Sequence, residues 1–357
     1  MRKTTRPTLK DVSQKAGVSV GTVSNFLQNP QKVKPANRVV IQNAIDELKF
    51  IPNISARNLA SGKSRNIALF IVSEDTISPT TWLHQLPMIQ TIHNIIQVEG
   101  YALSIHIVNA QNEEKMYENV LYVVESGSAD VLVFLSVWKL PDRLIEMLEE
   151  KEVKYISLDN TSEKFSFNTV FFDNSAAVEN LVDVLYDLGH RKIGYISVKS
   201  GQQDMKYRQF GFLRGMKKHD LCCTEDTILY GDFSIESGYA CVSKLLRTGS
   251  DLTAIIAGND NMAVGAMKAL AEVGLSVPQD FSIIGIDNSI AAHASTPVLQ
   301  TVQFDLKRMG EVAADLIMRL ARGGIKERYK IKLGYKIIPG GTIARVPEQK
   351  FDANYLL

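Results

Sequence analysis

The chain has 357 residues, 45% hydrophobic and 22% charged, enough for more than one folding unit with a substantial core. Three cysteines (Cys222, Cys223, Cys241) are too few for a disulfide framework and lack the His or Cys partners of a zinc site, so they read as buried or idle thiols in a reducing compartment. The net charge of +1 hides an asymmetry: residues 1–65 carry twelve Lys or Arg against three acids, net +9, which leaves −8 for the rest and points to a polyanionic partner for the head alone.

In the head, Thr8 is a good N-cap for a helix with Leu9, Val12 and Ala16 on one face, and Gly17 stops it. Ser19 caps a second short helix whose apolar face is Val23, Phe26 and Leu27 and which ends at Asn29-Pro30. Pro35 opens a third, burying Ile41, Ala44, Ile45 and Leu48. Two short helices joined by a tight glycine turn with a third packed behind make a helix-turn-helix unit. The polar side of the second helix, Val20, Gly21, Thr22 and Asn25, is free to enter a major groove, with the small core as a competing place for Val20. Gly17–Gly21 spells the nucleophile elbow G-x-S-x-G, but the elbow needs a preceding strand and a helix precedes it here. Gly62-Lys63-Ser64 ends like a phosphate loop, yet the required upstream glycine is Arg57.

Pro52-Asn53 and Ile54–Ser61 form a short helix candidate followed by a basic linker. A helix of about eight residues is marginal alone because nucleation is costly, so it needs a partner to fold.

From residue 66 the pattern alternates. Strands are expected at 67–72, 102–108, 130–135, 154–158, 169–172, 192–198, 253–257 and 282–287, with amphipathic helices at 85–99, 112–126, 174–188, 205–219, 235–247, 260–273 and 305–322. This is the signature of an α/β fold with doubly wound parallel sheets, and nearly 300 residues call for two lobes with a cleft at the strands' carboxyl ends. The longest apolar runs, Ile67–Val72 and Val131–Leu135, are far too short to span a bilayer.

The head reads Thr8-Leu9-Lys10-Asp11-Val12, Ala16-Gly17-Val18-Ser19, Thr22-Val23-Ser24, Leu48, Ile51-Pro52-Asn53 and Ala56-Arg57-Asn58-Leu59; the body reads Gly189-His190-Arg191-Lys192-Ile193, Arg208, Gly211-Phe212, Gly231-Asp232-Phe233, Asn259-Asp260, Met262-Ala263, Gly285-Ile286-Asp287-Asn288 and Gly340–Arg345. In this order and spacing the chain resembles the lac-repressor (LacI/GalR) family of bacterial regulators. The resemblance implies a helix-turn-helix domain (1–51), a hinge helix and linker (52–65) and a periplasmic-binding-protein-like effector core (66–357). The core would hold an N-lobe of about 66–189 plus 303–325, a C-lobe of about 190–302 plus 326–345, and a tail at 346–357. It also implies a cytoplasmic homodimer on a palindromic or pseudo-palindromic DNA operator, with no membrane, metal or cofactor. Its DNA contacts would come from Thr8, Ser19, Val20, Gly21, Thr22 and Asn25 and, in the minor groove, from Asn53, Ala56, Arg57 and the wedge Leu59.

For the effector, the family's clamping arginine falls at Arg208 and its acidic partner at Asp260; Phe233 takes the place of an aromatic that covers an apolar sugar face, and Asp173 opens a helix after a strand. These imply a repressor gated by a sugar or sugar derivative, with a nucleobase or other anionic metabolite as the alternative. The segment 76–91 departs from the family's usual turn, so Trp82, His84 and Trp138 carry no assigned role. An enzyme on this scaffold would need a nucleophile–base set or a phosphate loop, and neither is found.

Overall fold

The computed structural model describes residues 7–28, 30–50, 64–74, 79–199, 201–224, 227–324 and 327–346. The chain divides into two compact units, residues 1–65 with 127–130, and the remainder.

In the first unit, α1 (Leu9–Ala16), α2 (Val20–Gln28) and α3 (Pro35–Leu48) enclose a small core of Val12, Val23, Phe26, Val33, Ile41, Ala44 and Phe50. A capping box starts α1: the Asp11 amide donates to Thr8 Oγ1 at 3.4 Å, and Asp11 Oδ2 accepts from the Thr8 amide at 2.7 Å. Gly17 ends α1 at φ 66°, a left-handed conformation with no steric demand on a side chain nearby, so backbone freedom is its function. Ser19 Oγ accepts the Thr22 amide at 3.1 Å, capping α2 as its sequence position requires.

The second unit is α/β. A six-stranded parallel sheet runs in the order β11-β5-β4-β3-β1-β2, from β1 (Asn66–Ser73), β2 (Ala102–Asn109), β3 (Val131–Leu135), β4 (Tyr155–Leu158), β5 (Asn168–Phe172) and β11 (Lys330–Leu333). A four-stranded parallel sheet runs β7-β6-β8-β9, from β6 (Ile193–Val198), β7 (Ile228–Gly231), β8 (Ala254–Ala257) and β9 (Ser282–Ile284). An antiparallel ribbon pairs β10 (Thr301–Phe304) with β12 (Tyr335–Ile338). Ile67–Val72 and Val131–Leu135 are buried throughout, as strands covered on both faces by helices must be.

Helices alternate with these strands: α4 (Pro79–Val98), α5 (Glu113–Glu125), α6 (Asp142–Glu150), α7 (Asn174–Asp187), α8 (Gln203–Lys218), α9 (Ile235–Arg247), α10 (Asp260–Glu272), α11 (Ile290–Ala294) and α12 (Leu306–Arg322). The chain leaves the first sheet after α7, returns to it with α12 and β11, and goes back through β12 to Thr342, whose carbonyl accepts from the Ile283 amide beside β9. The sequence reading put 326–345 with the second lobe. Residues 330–333 instead pair with β5, because the chain crosses back only after them, and a four-residue strand alternating Lys with Ile and Leu gives no sequence signal for that late crossing. Among the described residues no helix is long and apolar enough to cross a membrane.

Helices α7 and α8, one from each side of the crossing, pack directly on each other. The inward stripe of α8 is Met205, Arg208, Gly211, Phe212, Gly215 and Met216, recurring at helical spacing. Every member but one is apolar or a glycine. That one, Arg208, is carried into the interior between the two sheets.

Candidate effector site and DNA-reading helix

Arg208 is 7% exposed, which for an arginine requires dedicated partners. Its Nε donates to Asn174 Oδ1 at 2.8 Å and its Nη1 to the Gly258 carbonyl at 2.6 Å, so it ties the start of α7 to the end of β8. Nη2 lies 3.6 Å from Asp287 Oδ1 and 4.0 Å from Asp204 Oδ2, and the guanidinium sits 5.4 Å from the centre of the Phe304 ring. Asn174, Gly258 and Asp287 all follow carboxyl ends of strands, the place where sheets of this kind bind ligands.

Asp260, 1% exposed, opens α10 after β8. It accepts from Thr301 Oγ1 and from the Ser289 amide, both at 2.6 Å, which fixes its orientation from two other segments. Burial and the neighbouring Asp287 push its carboxyl up to about 7. Asp159, the residue after β4, is also pushed up to about 7, by burial first and then by the charge of Asp204. Burial likewise raises Asp204. Asp159 (φ 57°) and Asp287 (φ 115°) both hold left-handed backbone conformations, which cost of order 1–3 kcal/mol and collect at functional sites.

The two shifted carboxyls have a thermodynamic consequence. Between their ordinary 3.8 and about 7 the folded protein binds protons that the unfolded chain has released, so their contribution to stability is complete below 3.8 and is lost as pH rises through 7. Asp159→Asn removes one such group. Its Tm should match the wild type near pH 4.5 and exceed it near pH 7.5 by roughly 2–4 °C, the shift that about 1 kcal/mol gives in a domain of this size. Parallel Tm-against-pH curves for the two proteins would show that Asp159 is not a buried, protonating group.

The structure therefore brings Arg208 and Asp260 into one cluster, with Asp159, Asn174, Asp204, Asp287 and Phe304 around Arg208. It gives Asp173 other contacts: its carboxylate caps α7 through the Ala176 amide at 3.1 Å and pairs with Lys332 at 2.6 Å. Phe233 stands ahead of α9 at φ 71°, and its carbonyl accepts from Asn259 Nδ2 at 3.0 Å. The Trp138 segment crosses between the sheets: Trp138 bridges Gln202, and the Gln203 amide donates to the Val137 carbonyl at 2.6 Å. Gln203 also exchanges side-chain hydrogen bonds with the backbone of Thr161, whose hydroxyl meets Tyr207 Oη at 3.0 Å. His84 is a half-buried residue of α4, and the side chain of Trp82 lies outside the described residues.

In the head, Val20 is 44% exposed and so stays out of the small core. Gly21 and Asn25 are also exposed, one helical turn apart, while Thr22 is half-buried and its hydroxyl meets Ser19 Oγ at 2.8 Å. Asn53, Ala56, Arg57 and Leu59 lie outside the described residues.

Comparison with known proteins agrees with this architecture. Residues 8–53 match the bacterial regulatory proteins of the lacI family, and residues 182–343 match the periplasmic binding protein-like domain. The HTH-type transcriptional repressor PurR of Serratia proteamaculans is 30% identical over 342 residues, covering 95% of this chain and 98% of the relative. PurR of Erwinia tasmaniensis is 30% identical over 346 residues, 96% and 99% of the two chains. Among solved structures, the CelR–cellobiose complex is 25% identical with a TM-score of 0.68 over 94% of this chain and 100% of that one. The lac repressor dimer bound to operator and the anti-inducer ONPF superimposes with a TM-score of 0.81 at 24% identity, over 95% of this chain and 100% of that one. A helix-turn-helix head, a two-sheet core and this near full-length likeness lead to one conclusion: the chain belongs to the lacI family of bacterial regulatory proteins and is a DNA-binding transcriptional repressor.

Proposed function

We propose that this repressor works as a cytoplasmic homodimer on a palindromic or pseudo-palindromic operator, and that its affinity for that operator is set by a sugar or sugar derivative bound at the Arg208 cluster. The observation that carries the effector reading is the cluster itself. One buried arginine and four aspartates, drawn from both sheets at strand ends, offer a fork of donors and several acceptors suited to vicinal hydroxyls. The cellobiose named in the CelR complex fits the same chemistry. An anionic metabolite would have to enter among four carboxylates beside an arginine whose nitrogens already face Asn174, Gly258, Asp204 and Asp287.

The test is a thermal-shift screen of the full-length protein with sugars and nucleobases, followed by calorimetry on each hit, since a ligand at 100 times its Kd stabilises by about 2.7 kcal/mol. Stabilisation by a sugar that also changes operator affinity supports the reading. A nucleobase hit with silent sugars overturns it.

For DNA, the reading assigns direct contacts to Val20, Gly21, Thr22 and Asn25, support to Thr8 and Ser19 at the helix caps, and minor-groove contacts to Asn53, Ala56, Arg57 and Leu59. Asn25 can bind adenine bidentately, worth about 1–3 kcal/mol of base discrimination. Selection on randomised half-sites with Asn25→Ala is expected to relax preference at one position. Unchanged preference at every position would make Asn25 a bystander.

A further inference from the structure

Counted as ionised groups, the cluster holds four carboxylates (Asp159, Asp204, Asp260, Asp287) against the single guanidinium of Arg208. Asp260 is occupied by Thr301 and Ser289, and Asp287 has the nearest arginine nitrogen. Asp159 and Asp204 are different. Each keeps a buried Oδ1 with no hydrogen-bond partner in the protein, and the two charges repel each other. Asp159 follows β4 of the six-stranded sheet and Asp204 stands in the first turn of α8, after β6 of the four-stranded sheet. A second group points to the same place independently. Tyr195 of β6 is fully buried, its ring stacks on Phe212 at 5.2 Å, and its hydroxyl has no partner in the protein. Its hydroxyl feels the charges of Arg208, Asp204 and Asp287, so it faces the cluster. Buried polar atoms are nearly always satisfied, and three unsatisfied ones around a single cleft describe what a ligand must bring. Two are carboxylate oxygens, which accept only, and a hydroxyl can accept as well.

Building on the sugar-effector reading, we infer that the cleft selects an effector bearing a protonated amine, an amino sugar or an amino alcohol of similar size, with the ammonium seated between Asp159 and Asp204. An ammonium offers several N–H donors and the charge that the two unpaired carboxylates lack, whereas a sugar hydroxyl offers one donor and no charge. Because the two aspartates belong to different sheets, the cation also removes a repulsion that opposes their approach. The amine thus differs in its interaction with two arrangements of the sheets, which any effector must do to shift an equilibrium.

The experiment uses the full-length protein at constant ionic strength near neutral pH and compares matched probes by thermal shift and calorimetry: glucosamine against glucose, galactosamine against galactose, and ethanolammonium against ethylene glycol. The amine of at least one pair should bind at least about tenfold more tightly than its neutral partner, as charge-assisted bonds to buried carboxylates do. Asp204→Asn should erase that preference while keeping the weaker binding of the neutral member, and Asp159→Asn should do the same, so a folding defect in either variant alone does not hide the result. Neutral sugars that bind as well as or better than their amines overturn the inference and leave the sugar reading standing. Failure of every amine to outperform its partner, with a nucleobase binding instead, overturns both. A preference that survives in both variants places the amine elsewhere and overturns this seat.

Discussion

Arg208→Ala is expected to lose roughly 2–5 kcal/mol of effector binding, partly because the ligand groups that it faces are left unpaired. The same substitution should destabilise the folded core. It leaves Asn174 Oδ1 and the Gly258 carbonyl without their donor, and Asp204 and Asp287 without their counter-charge. Breaking a buried ion pair by removing one partner costs about 3–5 kcal/mol, and Arg208 is buried enough for that range to apply. Part of the cost is recovered because Asp204, already raised by burial, can take up a proton. Arg208→Lys restores the charge but not the planar fork, so it should recover stability more than effector affinity. Operator affinity without effector should stay within a few-fold of the wild type, because the head is a separate unit. The variant should then be fixed in ligand-free behaviour. Calorimetric titration with the hit from the sugar screen, denaturant midpoints and operator gel shifts read these three consequences. Effector binding within a few-fold of the wild type in Arg208→Ala would remove Arg208 from the site.

Arg208 was legible in the sequence because its position matches a family motif, and Asp260 because it follows a strand end. Asp159 and Asp287 were equally open to the strand-end argument: one follows the expected strand 154–158 and the other closes 282–287. Applying that rule to every strand, and not only to motif-matched ones, would have found both. Asn174 and Asp204 were not accessible in this way. Their nearness to Arg208 depends on how α7 crosses α8, a tertiary distance that no periodicity encodes. Asp173, one residue from Asn174, was chosen in its place; its carboxylate caps the helix that presents Asn174 to the arginine.

The same distinction holds for the fold. The three head helices carried caps, a left-handed glycine and a helical stripe, signals that are local and agree with one another. The long strands β1 and β3 were continuous apolar runs. Strands β7, β10, β11 and β12 have four residues each, too few to show a period, and were not expected. Helix α4 starts at Pro79, earlier than the expected 85, and continues through Pro87.

That crossing of α7 and α8 supplies the second large effect. A Cβ on Gly211 would stand 2.1 Å from the Ser175 carbonyl oxygen and 2.9 Å from its carbonyl carbon and Cα. These are backbone atoms at the start of α7, one residue from Asn174, so no side-chain rotation can relieve the clash. At Gly215, one turn on, the added Cβ would meet Val182 side-chain atoms at 2.7 Å and beyond, a milder conflict. In an exposed helix a Gly→Ala change stabilises by about 0.8–1.0 kcal/mol through helix propensity. Here the opposite sign is expected: Gly211→Ala should destabilise by about 1–3 kcal/mol net, since the helices must move apart against a packed core. The separation would also draw Asn174 away from the 2.8 Å contact with Arg208, so effector affinity should fall although no ligand contact is altered. Gly215→Ala should fall less on both measures. Denaturant midpoints and effector titrations on the two variants give the comparison. A Gly211→Ala protein as stable as the wild type, with unchanged effector affinity, would mean that the close approach of α7 and α8 does not set the geometry of the site.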